Sequence, residues 1–194
     1  MLEELVIKYL SDLIPITDDL KKIIIENSIF KTFKKGTLLL KEGNVSDECY
    51  FILKGCIKRY YVIDGEEKIT GFYIEKQIVT PSSYNSGQPS KYNLSCLEDT
   101  IVATSSLSIE KDLYSKYPQL ESMTRILGDL SLQNLESEFD NWVCVKPQNR
   151  YIELMNKRPD LCQRVPQYQL ANFLGLKPQS LSRIRKRLAN SRSL

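Results

Sequence analysis

Between Phe30 and Leu107 the chain is cut into short β-rich runs by glycine turns, and no other segment narrows the possible folds as much. The runs read TLLLKEG, CYFILKG, CIKRYYVIDG, KITGFYI, QIVT and IVATSS. Gly36, Gly43, Gly55 and Gly65 fall seven to twelve residues apart, where a strand must reverse. A left-handed backbone angle is cheap there only for glycine. Asp64-Gly65 is a hairpin signal. Many short strands at regular spacing predict an antiparallel barrel or roll. Residues 80–93, TPSSYNSGQPSKYN, read as loop from their Ser, Pro, Asn and Gly content.

Helical periodicity frames this β segment. Leu2, Leu5, Val6, Tyr9 and Leu10 recur at helical spacing, and Thr17 or Asp18 can cap a second helix through Ile23, Ile24 and Ile25. From Ser108 the period returns. Leu120, Met123, Leu127 and Leu130 step by three or four, and Leu135, Phe139, Trp142 and Val143 continue the stripe after a shift. The result is one helix of about 28 residues, roughly 40 Å long. Such a helix pairs with a copy of itself, with Leu120, Met123, Leu127 and Leu130 as the dimer seam, or packs across the β-roll alone. Lys146-Pro147 ends it, Arg150 to Lys157 forms a short amphipathic helix, and Arg158-Pro159-Asp160 stops that one. The expected class is α+β. A β-roll with N-terminal helices covers 1–115, a long dimerisation helix 116–146, and a helical domain 147–194.

Composition removes several functions. The chain has no histidine, the commonest general base and metal ligand. Its five cysteines, Cys49, Cys56, Cys96, Cys144 and Cys162, form no CxxC pair. They read as reduced, mostly buried thiols rather than a disulfide framework or zinc site, with redox sensing by one of them as the alternative. No cofactor is expected. There is no nucleophile motif or P-loop, so an enzyme is not expected either. No apolar run of about 18 residues occurs, and the start, MLEELVIKYLSDLIPI, lacks the basic and apolar order of a secretion signal. These features point to a cytoplasmic protein without membrane partners. Charge is unevenly placed: residues 150–194 hold ten Lys or Arg against two acids, net +8, whereas residues 1–149 are net −5. A basic tail on an acidic body suits a polyanionic partner.

The most informative stretch is VPQYQLANFLGLKPQSLSRIRKRL, residues 165–188. It reads as helix, tight turn, helix. Leu170 and Leu174 mark the inner face of the first helix, Ala171 lets the second approach, and Gly175 makes the turn. Leu176 plugs the corner, and Pro178 suits the first helical position. Leu181, Ile184 and Leu188 form the inner stripe of the second helix. Gln179, Ser182 and Arg183 then face away with Lys186, flanked by Ser180 and Arg187. Such a face fits the major groove of double-stranded DNA. Arg183 can take guanine O6 and N7 together, Gln179 can pair with adenine, and Ser182 shares the base-reading face. Ser180, Lys186 and Arg187 suit phosphates, as does Gln167 at the start of the first helix.

Over nearly its full length the chain resembles the Crp/Fnr family of bacterial regulators. The likeness is carried by FKKGTLLLKEGNVSDECYFILKGCIKRYYVIDGEEKITGFY (33–73) and RVPQYQLANFLGLKPQSLSRIR (164–185). The resemblance implies a jelly roll like the cyclic-nucleotide-binding domain and a winged-helix-like C-terminal domain. It also implies a homodimer joined by the long helix, an inverted-repeat operator, a small-molecule effector and RNA polymerase as a further partner. By position, Gln179 and Arg183 match residues that read bases in the family. Cyclic-nucleotide members carry a Gly-Glu pair and an Arg in a loop that here spans about 79–93. This loop has no Gly-Glu pair, and Ser90 stands at the Arg position with Lys91 beside it. Without those anchors, tight cAMP or cGMP binding is not expected. Tyr84, Ser90, Lys91 and Tyr92 are then the candidate effector pocket, holding another small acidic ligand or filled by the chain's own side chains. The stretch after Leu188 leaves little room for a wing hairpin. A cyclic-nucleotide signalling module without DNA activity is the competing function.

Overall fold

The computed structural model describes residues 2–191; Arg192, one of the ten basic residues counted above, lies outside them. Two N-terminal helices, α1 (Leu2–Ser11) and α2 (Asp18–Asn27), precede the β segment. Thr17 caps α2, its side-chain oxygen accepting from the Leu20 N–H at 3.3 Å. Eight strands follow: β1 (Ile29–Phe33), β2 (Leu38–Leu40), β3 (Glu48–Lys54), β4 (Ile57–Ile63), β5 (Glu66–Tyr73), β6 (Ile78–Val79), β7 (Asn93–Cys96) and β8 (Thr100–Ser106). They form two four-stranded antiparallel sheets, ordered β1-β8-β3-β6 and β2-β7-β4-β5, the expected antiparallel roll. Leu40, Tyr50, Ile52, Ile57, Val79, Leu94 and Val102 fill the space between the sheets.

Two reversals show why the glycines fall where they do. Asp64 and Gly65 have φ of 52° and 78° between β4 and β5, the doubly left-handed turn that matches strand twist. At Gly55, φ is 113° and a Cβ would lie 2.5 Å from the Thr100 side chain, so no other residue fits.

The loop expected at 80–93 is partly structured. It contains a short helix, α3 (Ser82–Ser86), and β7 begins at its last residue. Ser and Asn are turn formers and helix-end residues alike, so composition did not separate the two.

After the roll, the described residues are helical: α4 (Leu107–Lys116), α5 (Pro118–Cys144), α6 (Pro147–Lys157), α7 (Pro159–Arg164), α8 (Gln167–Phe173) and α9 (Pro178–Ser191). Arg158-Pro159 ends α6 as expected, but Pro159 also opens α7, because proline is as good a first helical residue as it is a stop. Among the described residues no strand follows α9.

The long helix α5 departs from expectation in which side it offers. Leu120 and Leu127 are buried within the chain, and Met123 and Leu130 pack beside them against Val6, Leu10, Leu20, Ile24 and Leu53. The expected dimer seam is therefore consumed by α1, α2 and the outer face of the roll. The second half differs. Every residue from Ser131 to Asp140 is exposed, including Leu132 (55%), Leu135 (51%) and Phe139 (65%), and Val143 (63%) follows. At 100° per residue these four share one face.

Candidate nucleic-acid interface and sensor pocket

The helix pair α8–α9 is assembled as its residues dictate. Leu170, Ala171, Leu174, Leu181 and Ile184 are buried together, with Leu176 and Leu188 packed against them. Ala171 is fully buried where the helices meet. Gly175 makes the turn with φ of 68°, and a Cβ there would come within 3.3 Å of the Trp142 ring. With that stripe inward, Gln179, Ser182, Arg183, Lys186 and Arg187 are exposed and Ser180 is half-buried. Gln167 is exposed at the start of α8. Among the described residues no ion pair engages Arg183, Lys186 or Arg187. The outer face of α9 thus offers one amide, free guanidinium and ammonium groups, and hydroxyls. Lys177, exposed at the start of α9, and Tyr168, exposed on α8, were not singled out in the sequence. Neither belongs to a periodic stripe that would have marked it.

Three arginines of the basic tail serve the fold instead. Arg164 bonds Glu75 at 2.8 and 3.0 Å and also pairs with Glu98. Arg158 donates to the Phe72 carbonyl at 3.1 Å. Arg150 lies 4.1 Å over the Trp142 ring and donates to the carbonyls of Trp142 and Val145. Asn172 on α8 docks against β5, accepting from the Ile69 N–H at 2.8 Å and donating to the Glu67 carbonyl at 2.7 Å. Ile69 and Phe72 of the roll share one buried cluster with Tyr151, Leu161, Leu170 and Leu181. The roll and the helical domain are therefore held together by a common core and a polar rim.

This rim makes the junction sensitive to acid. Burial pushes the Glu75 carboxyl up, but hydrogen bonds from Arg164, the Gly55 N–H and its own N–H outweigh it, so its pKa is lowered overall. A carboxylate with a lowered folded pKa stabilises above its unfolded value of about 4.3, and that contribution is lost as pH falls through the folded value. Amide exchange in α7 and α8 is expected to quicken below about pH 4 in the unmodified protein. In Glu75→Gln it should already be fast at neutral pH and lose this acid step. An unchanged acid step in Glu75→Gln would show that another group governs the junction.

The four expected effector-pocket residues do not converge. Lys91 is exposed. Ser90 is buried and its bonding is spent on neighbouring backbone: its Oγ donates to the Tyr92 carbonyl at 2.8 Å, and its N–H to the Asn44 carbonyl of the β2–β3 turn at 2.8 Å. The Tyr92 hydroxyl accepts from the Ser82 N–H at 2.8 Å, and its ring packs edge-on against Tyr61 at 5.9 Å. Arg59 lies over the rings of Tyr73 and Tyr92. Tyr84 points elsewhere, to the outer side of the roll beside Cys49 and Glu110. A serine can bond nearby backbone where a guanidinium must reach for a partner, so this segment closes on itself and on the β2–β3 turn. The half-buried Cys49 thiol and the buried Cys56 thiol are pushed up to about 12, chiefly by burial, which keeps them protonated and poor nucleophiles.

Residues 30–116 match the family model of the cyclic nucleotide-binding domain. FixK2 from Bradyrhizobium japonicum superposes with a TM-score of 0.72 at 14% identity, covering 84% of this chain and 85% of that one. The c-di-GMP-responsive global regulator CLP of Xanthomonas campestris gives 0.64 at 17% identity, covering 88% and 90%. The Thermus thermophilus catabolite activator protein gives 0.56 at 14% identity, covering 94% and 87%. No curated protein matches the chain significantly in sequence. No helix among the described residues is long and apolar enough to cross a membrane.

Proposed function

We propose that this chain, which carries a cyclic nucleotide-binding domain and the fold of the Crp/Fnr regulators, is a transcriptional regulator that binds double-stranded DNA as a homodimer. The observation that carries this reading is the outer face of α9, braced from behind by a closed apolar core and, among the described residues, free of ion pairs in front. Arg183 and Gln179 read base edges, with Ser182 beside them. Ser180, Lys186, Arg187 and Gln167 hold phosphates and set the register. Lys177 adds charge at the entry of α9. Two copies joined along the exposed half of α5 place two such helices on an inverted repeat, one half-site each. RNA polymerase is the partner through which such a dimer acts on transcription.

The same reading makes cAMP a poor effector. The loop offers a self-satisfied Ser90 and an outward Lys91 in place of a carboxylate and a bidentate cation, and tyrosine rings occupy the space they would face.

Binding to promoter fragments over a range of salt tests the function. A specific regulator should select particular fragments, with affinity falling steeply as salt rises because phosphate contacts release counterions. Binding that never distinguishes one fragment from another would leave only a basic surface and defeat the proposal.

A further inference from the structure

The joint between α5 and the helical domain is closed by one side chain. Only Val145 and Lys146 separate α5 from α6. The last carbonyls of a helix have no partner within it. Arg150 of α6 turns back to this end and donates to the carbonyls of Trp142 and Val145. Its guanidinium lies 4.1 Å over the Trp142 ring and reaches the Leu174 carbonyl, at the end of α8, at 3.5 Å. Gly175 completes the contact. A Cβ there would meet the Trp142 ring at 3.3 Å and Arg150 Nη1 at 3.8 Å. Ring and guanidinium therefore lie directly against the turn of the helix-turn-helix.

Trp142 also borders the exposed strip of α5. At 100° per residue it stands on the same edge as Leu135, beside Phe139 and Val143, and it is 44% exposed. From Ser131 to Asp140 every residue of α5 is exposed. Over this stretch Glu138 reaches the helical domain through a 3.6 Å ion pair with Arg158. Glu138 is itself exposed, so water screens that pair. The contact at Trp142 and Arg150 is thus what carries the direction of α5 into the helix-turn-helix.

We propose that Trp142 and Arg150 are positioning residues that set the angle between α5 and the helix-turn-helix, and with it the half-site spacing that a dimer accepts. The inference rests on the DNA-binding dimer proposed above. With two α5 helices joined, the angle at each joint fixes the distance and twist between the two α9 helices. One extra base pair between half-sites turns one of them by about 35° relative to the other. A rigid joint cannot follow that turn, and a loose one can. Neither residue has to touch DNA to act in this way.

The test compares the full-length protein and its variants on three duplexes: a selected operator, that operator with one base pair inserted at its dyad, and a single half-site. The parent is expected to bind the lengthened operator about tenfold or more weaker, because the insertion spoils simultaneous engagement of both half-sites. Arg150→Lys keeps the charge but not the planar fork. It should bind the single half-site as the parent does, yet reduce the insertion penalty to about threefold or less by weakening the natural operator. Trp142→Ala should behave likewise. Trp142→Phe keeps a ring for the guanidinium and should stay near the parent. Residues that merely supported the fold would weaken the single half-site too. An insertion penalty left unchanged by Arg150→Lys or by Trp142→Ala would overturn the proposal, as would a loss on the single half-site as large as that on the operator. A parent that selects no duplex would instead overturn the function on which the proposal rests.

Discussion

Replacing Phe139 with glutamate is expected to give a monomer that has lost about two to four orders of magnitude in affinity for its operator while its roll and its helix-turn-helix remain folded. The reason lies in how α5 divides its labour. Leu120 and Leu127 already serve the chain's own core, so their loss would unfold the protein and say nothing about assembly. Phe139 is 65% exposed and makes no such contribution. Together with Leu132, Leu135 and Val143 it leaves an apolar strip that only another molecule can cover. A carboxylate at its centre would have to be buried unpaired in a dimer, which is strongly unfavourable. Once the dimer is lost, each recognition helix binds alone, and the gain from linking two half-sites, about 10²- to 10⁴-fold, disappears. Sedimentation measures the first effect and operator binding the second. A Phe139→Glu dimer of normal affinity would place the subunit contact elsewhere.

The second large effect separates reading from holding. Arg183→Ala is expected to lower affinity for the operator by about 1–3 kcal/mol while leaving binding to unrelated DNA nearly unchanged, so the ratio between them shrinks. Lys186→Ala should weaken both alike and reduce the salt slope by about one, the signature of a lost phosphate contact. Both side chains are exposed on α9, and no ion pair among the described residues holds either, so neither change should disturb the fold. Measured affinities for operator and non-operator duplexes at several salt concentrations distinguish the two. If both variants lost selectivity equally, the division between Arg183 and Lys186 would be wrong.

The helix-turn-helix was the most legible part of the sequence because its determinants are local. Ala171, Gly175, Pro178 and the Leu181-Ile184-Leu188 stripe each have a reason that needs only neighbouring turns, and the exposed face follows from the buried one. The β-roll was legible for a similar reason, since turns such as Asp64-Gly65 punctuate it. What escaped depends on distant partners. Periodicity showed that α5 has an apolar side, but not that α1 and α2 would cover its first half and leave the second half bare. Charge counting placed Arg150, Arg158 and Arg164 in one basic tail with the α9 residues, whereas carbonyls one or two turns away claim Arg150 and groups of the distant roll claim Arg158 and Arg164. Tyr84 lay close in sequence to Ser90 and Tyr92 and was grouped with them, yet the turn of α3 sends it to the opposite side of the sheet.

The central claim is that two α9 helices of a dimer lie in successive major grooves with Gln179 and Arg183 toward the bases. Hydroxyl-radical footprinting on a selected operator tests it most directly. Two protected patches related by a dyad, with centres about 10 base pairs apart, and, in a parallel dimethyl sulfate footprint, loss of guanine N7 protection in the Arg183→Ala variant are the predicted outcome. A single continuous patch without symmetry, or guanine N7 protection from methylation that Arg183→Ala leaves intact everywhere, would contradict it.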